Sequence, residues 1–155
     1  MFSPCGSCVK CVDFLLQAGA DIHMKDSSGW TVLMHFASSN EFDNLKKLID
    51  SGCLINEQSK RGWTALMCAV SNGAEDCVEL LMQSGANVDL CDNDGETALM
   101  MAADSGYDKL LRVLLAAGAD ASIKNNEGET ALDIAKKRDA KKCIKLLSQP
   151  SLKKQ

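Results

Sequence analysis

The phrase "GWTVLM" at Gly29 returns as "GWTALM" at Gly62, "GETALM" at Gly95 and "GETALD" at Gly128, each 33 residues after the one before. A second phrase keeps the same interval, with "LLQAGAD" from Leu15, "LIDSGCL" from Leu48, "LMQSGAN" from Leu81 and "LLAAGAD" from Leu114. A period of this length running through almost the whole chain restricts it to a row of like units, each burying its apolar side against the next.

One unit predicts its own local structure. Thr64 is placed as an N-cap, and Ala65, Leu66, Ala69 and Val70 follow with helical spacing, so a first helix runs to about Ser71. Asn72 and Gly73 break it. Val78, Leu81 and Met82 then form a second helical stripe, which Gly85 closes as a left-handed residue. The stretch "ANVDLCDND" before Gly95 has the Asn and Asp content of an extended, turn-forming loop. Helices this short fall below the ~12–15 residues that persist alone in water, so stacking must hold them. The expected fold is all-α: short antiparallel helix pairs joined by extended turn or hairpin loops and piled into a solenoid. Pro4 and Pro150, the only prolines, interrupt no helix.

Composition narrows the function. With 155 residues, 46% of them hydrophobic, one folded unit is expected. The 17 basic and 21 acidic residues give a net charge of −4, which offers no global attraction to nucleic acid or anionic membrane. Apolar runs are far shorter than the ~20 residues of a membrane span, and "MFSPCGSC" lacks the parts of a signal peptide. A soluble chain of the cytoplasm, or of the nucleus, is expected. Cys53, Cys68, Cys77, Cys91 and Cys143 are scattered singly, as reduced, space-filling thiols are.

The pattern G-x-T-A-L-M, then a short helix, then L-L-x-x-G-A-D at a 33-residue period resembles the ankyrin repeat family over about residues 6–148. The units read as a half repeat at 6–25, repeats at 26–58, 59–91 and 92–124, a C-terminal capping repeat at 125–149 and a tail at 150–155, within one domain spanning 1–155. The family usually has proline and histidine where this chain has Ala65 and Met67, Ala98 and Met100, or Val32 and Met34. That histidine hydrogen-bonds between loops, whereas a methionine is expected only to fill space. "MFSPC" is too short for a first helix ahead of Leu15, so the chain is expected to begin inside a longer array or to be truncated there.

The resemblance implies that loop tips and first helices line a concave side on which partners bind. Carried onto this sequence, that side comprises Trp30, Ser38 and Ser39 in one unit and Lys60, Arg61, Trp63, Ser71 and Asn72 in the next. Asp94, Glu96, Asp104 and Ser105 follow in the third. Trp30 and Trp63 occupy equivalent positions, which sets the rings about one repeat width apart on one face. Beside Arg61 they resemble the aromatic and arginine clusters that dominate binding energy; the plainer reading is that each ring folds down to brace its loop. Charge changes along the stack from Lys60 and Arg61 to Asp92, Asp94, Glu96, Asp104, Glu127 and Glu129, a gradient able to orient a partner of reverse pattern.

Other features are weighed down. From Lys124 onward the chain carries +5 against −9 before it, but a lysine-rich outer face suits a capping helix, and no aromatics are interleaved to stack bases. Cys5, Cys8 and Cys11 have thiolate spacing without a nearby fourth ligand, and core-side packing is the plainer role, so no metal or other cofactor is expected. His23 and His35 stand at unlike positions with no nucleophile phrase or phosphate loop, so no catalysis is expected. Asn56 matches the place where the family is hydroxylated on asparagine. A non-catalytic, monomeric module that binds a protein or peptide is therefore the leading reading. Alternatives are the regulatory or substrate-targeting arm of a larger enzyme, such as a kinase or ubiquitin ligase, and small-ligand or oligonucleotide binding between the two tryptophans.

Overall fold

A computed structural model describes Gly19 and residues 21–149. Pro4, Cys5, Cys8, Cys11, Leu15 and the segment 150–155 lie outside the described residues. Among the described residues eight helices form four pairs: α1 (Val32–Ser38) with α2 (Phe42–Asp50), α3 (Ala65–Ser71) with α4 (Glu75–Gln83), α5 (Ala98–Asp104) with α6 (Asp108–Ala116), and α7 (Ala131–Lys137) with α8 (Lys141–Leu147). First helices pack on first helices, and second helices on second helices, so the pairs stack into two layers.

The same residues start each first helix for the same reason. Thr31, Thr64, Thr97 and Thr130 hold extended backbone, and each hydroxyl accepts a hydrogen bond from the backbone N–H three residues on, at 3.2–3.4 Å. One of the helix's unpaired donors is thereby satisfied. At Thr130 the reciprocal half is supplied by Asp133, whose Oδ2 accepts from the Thr130 N–H at 3.1 Å. At Thr64 it is supplied by Met67, whose Sδ accepts from the Thr64 N–H at 3.4 Å. Met67 therefore does more than fill space, because its thioether reaches back to the cap.

Between the two helices of a pair one equivalent position is left-handed throughout: Asn40, Gly73, Gly106 and Asp139, with φ from +52° to +70°. Asn and Asp are the non-glycine residues that best tolerate it. The second helix then returns against the first and ends at a serine or alanine C-cap.

Burial is greatest in the middle of the stack. Six of the seven residues of α3 are buried, and so are six of α5, because both are flanked on two sides. In α7 only Ala131, Ile134 and Ala135 are buried. Leu48, Leu81 and Leu114, equivalent residues of three second helices, are all 2% exposed or less. Truncating any of them to alanine removes transfer energy and leaves a cavity, at a cost of about 2–5 kcal/mol. Cys68, Cys77 and Cys143 fill gaps in this core as free thiols. Burial raises the Cys68 thiol to about 12 and the Cys77 thiol to about 11, so both remain protonated. No helix among the described residues is long and apolar enough to cross a membrane.

Candidate functional site

Each first helix is preceded by a hairpin-like loop whose tip is fixed before any partner is present. Asp26, Ser59, Asp92 and Asn125 donate through their backbone N–H to the carbonyls of Trp30, Trp63, Glu96 and Glu129 at 2.9–3.0 Å. The side chain of the same residue closes the turn. Asp26 Oδ1 accepts from the N–H groups of Ser28 and Trp30, Asp92 Oδ1 from Asp94 and Glu96, and Asn125 Oδ1 from Glu127 and Glu129. Ser59 uses its hydroxyl to accept from Trp63. Short Asx-type side chains do this because they reach backbone donors two residues ahead.

Adjacent tips are tied together at the repeat interval. Lys60 donates its N–H to Ser28 O, Asn93 to Arg61 O and Asn126 to Asp94 O, at 2.9–3.0 Å. The Asn93 amide adds a bond to Lys60 O, and the Asn126 amide one to Asn93 O, both at 2.9 Å. This approach requires the glycine ahead of each tryptophan. A Cβ on Gly29 would meet Lys60 N at 2.7 Å, and one on Gly62 would meet Asn93 N at 2.8 Å, with both backbones left-handed. Neighbouring loop tips are thus joined by backbone and amide bonds rather than through a histidine.

On this braced edge Trp30 and Trp63 are half-buried and stacked, with ring centroids 6.5 Å apart and planes inclined by 23°. The expected separation of one repeat width is corrected: the rings lean together to closer than the ~8–10 Å between packed helices, since offset stacking buries apolar area that upright rings would leave wet. His35, one helical turn into α1, stands 5.1 Å from the Trp30 ring, and its Nε2 is 2.9 Å from Asp26 Oδ2. The Asp26 carboxyl is held below the usual carboxylate range, chiefly by the Trp30 N–H, with lesser help from Ser28 and His35 that together with it outweighs the desolvation penalty. The sequence reading left Asp26 out of the site, although its place four residues before Trp30 and nine before His35 was the available signal.

The predicted serines and asparagine divide. Asn72 Nδ2 donates to Ser38 Oγ at 3.2 Å, to Cys68 O at 2.9 Å and to Ser71 Oγ at 3.4 Å, so three of these side chains form one polar seam between α1 and α3. Ser39 and Ser105 are exposed without a side-chain hydrogen bond among the described residues. Lys60 and Arg61 project from the loop tip, exposed, and make no ion pair among the described residues.

The acidic half is less uniform than the sequence suggests. Arg138 Nε lies 2.6 Å from Asp104 Oδ1, and Lys137 pairs with Glu129, so two of the six carboxylates are compensated from the last pair of helices. The charge gradient expected along the stack is weakened to that extent. Register brings the first pair within reach, because Arg138 stands one repeat along from Ser105, the neighbour of Asp104, whereas Glu129 and Lys137 belong to the same unit. Asp92, Asp94, Glu96 and Glu127 have no ion pair among the described residues. Burial first, then the neighbouring Asp92, Asp104, Asp94 and Glu127, raises the Glu96 carboxyl above its ordinary value. Asn56 lies apart, in the loop that follows α2. It is exposed, and its amide bridges units by donating to Gly85 O at 3.1 Å and accepting from Asn87 N at 2.7 Å.

Comparison with curated proteins returns no match. A family model for ankyrin repeats (3 copies) matches residues 3–92 and again residues 84–155. Ankyrin repeats are in general protein–protein interaction modules, and typically non-catalytic. With helix pairs, capped starts and stitched loops all recurring at the matched interval, the chain belongs to the ankyrin repeat family.

Proposed function

We propose that this chain is a non-catalytic binding module that grips a partner protein or peptide on the face formed by its loop tips and first helices. The observation that carries the reading is the stacked Trp30–Trp63 pair, held on loops already tied to one another by hydrogen bonds. A surface fixed before encounter loses little entropy on binding, so contact energy is not consumed by ordering. Large half-buried aromatics beside an exposed arginine are the residue types over which binding energy concentrates. Lys60 and Arg61 at one end and Asp94 and Glu96 at the other give the strip a polarity that favours one orientation of the partner. The polar seam of Ser38, Ser71 and Asn72, with Ser39, Asp104 and Ser105 beside it, forms the floor and rim of the same strip.

Affinity capture with the wild type and with the Trp30→Ala/Trp63→Ala variant, read by mass spectrometry, tests this. Partners retained by the wild type and lost by a still-folded variant support the reading; equal retention by both contradicts it. Asn56 remains a candidate for asparaginyl hydroxylation, supported by its exposed side chain, and a mass gain of one oxygen on the peptide containing it is the check.

A further inference from the structure

The strip has an order along the stack. Trp30, Trp63, Glu96 and Glu129 are equivalent residues of successive units, each the first after the glycine of the loop tip. The tip-to-tip bonds that bring Trp63 against Trp30 recur one unit on, from Asn93 to Arg61, and so set Glu96 next in line beside Trp63. Trp30 is covered from two sides, by Trp63 and by His35. Trp63 packs partly on the core, is half-exposed and has no ring partner other than Trp30 among the described residues, so part of its surface stays open on the strip beside Glu96.

Three properties meet at that opening. The ring of Trp63 offers a π face, which attracts a cation. Glu96, Asp92, Asp94 and Glu127 bring negative charge that no basic residue of the described chain pairs with, the available Lys137 and Arg138 being engaged with Glu129 and Asp104. The indole N–H groups of Trp30 and Trp63 are neither buried nor hydrogen-bonded within the described chain, and so are open donors for the carbonyls of an extended segment lying along the strip. A neutral side chain would leave the carboxylates uncompensated, and an acidic one would be repelled by them.

We propose that the opening between Trp63 and Glu96 receives a lysine or arginine side chain of an extended partner segment, its charge meeting Glu96 while its stem lies on the Trp63 ring. The assignment rests on the concave-face reading above and adds to it the chemistry of the partner. Protonation of Glu96 removes the negative charge that the cation meets, so acidification weakens the seat; a cation arriving at neutral pH relieves the crowding of like charges there.

The chain has only two tryptophans, so its intrinsic emission reports the strip directly. The probes are four pools of short, terminally blocked peptides, randomised except for one central arginine, lysine, leucine or glutamate. Each is titrated against the full chain by tryptophan emission and by anisotropy of a label. The arginine and lysine pools are expected to bind best. Glu96→Gln and Trp63→Leu are each expected to weaken them about three- to thirtyfold. Trp63→Phe, which keeps an aromatic face, should lose less than Trp63→Leu. Glu79→Gln, on the second-helix layer, should change affinity less than about twofold. Circular dichroism identifies variants that stay folded, and Glu96→Gln alters only a partly exposed side chain. If the leucine or glutamate pool binds as well as the arginine pool and Glu96→Gln has no effect, the cation seat is overturned. The concave-face reading would then survive provided that Trp30→Ala/Trp63→Ala still abolishes that binding. Binding by no pool overturns both.

Discussion

Two halves of one strip differ in kind while resting on the same scaffold. In the first half Trp30 and Trp63 stack over an edge whose tips carry Lys60 and Arg61; in the second, Glu96 and Glu129 occupy the equivalent positions with Asp94 and Glu127 beside them. Beneath both halves the threonine cap, the buried leucine of the second helix and the tip-to-tip hydrogen bonds are repeated with little change. Stacking requires certain residues in every unit and is indifferent to others. The indifferent positions are those whose side chains leave the stack, and they are where the two halves diverge.

The division between scaffold and strip can be broken by mutation. The largest effect is expected from Leu81→Ala and Leu114→Ala, one in each half, each costing about 2–5 kcal/mol in urea denaturation. A silent substitution at either site would show that the units are not equivalent in their support. Thr64→Ala and Thr97→Ala should each cost about 1 kcal/mol for loss of the cap. Arg138→Ala sharpens the contrast between the halves by releasing Asp104, and because the pair is exposed the loss of stability should be small and shrink as salt is added.

The smallest effect is in pH dependence, and its sign differs between two carboxylates. The Glu96 carboxyl is raised, so its favourable contribution is present below the ordinary glutamate value and is lost as pH rises through the folded value. Glu96→Gln should therefore melt slightly higher than the wild type at neutral pH, and the difference should vanish in acid. Asp133 is lowered, chiefly by the Thr130 hydroxyl and backbone N–H, so its contribution is present above the ordinary aspartate value and lost as pH falls. Asp133→Asn should melt lower at neutral pH and converge with the wild type in acid. Thermal melts across the acid range check both.

Much of the scaffold was legible because it repeats. Thr64 as a cap, a helix end at Ser71 and a left-handed Gly85 all follow from local chemistry that recurs at a fixed interval, and each is found. Less legible was anything decided between units. Equivalent positions told that Trp30 and Trp63 share a face, but not that the rings lean to 6.5 Å, which depends on how the two side chains bury area together. The pairing of Arg138 with Asp104 was hidden for the same reason, since register supplies proximity and the side-chain path decides the contact. Met67 as an acceptor was missed because a thioether is so often only a space filler.

The central claim is that the indole pair serves recognition while the repeated residues serve stability. It is tested most directly by measuring, on the same preparations, partner affinity and melting temperature for the wild type and the Trp30→Ala/Trp63→Ala variant, using the partner recovered by capture. Stacking of two half-buried rings is worth about 0.5–1.5 kcal/mol beyond their area, whereas aromatic anchors in an interface cost about 2 kcal/mol or more each when truncated. A fall in affinity of at least about thirtyfold with a melting temperature lowered by only a few degrees is the predicted result. A large drop in melting temperature with affinity unchanged would contradict it, and would make the tryptophans braces of the loops.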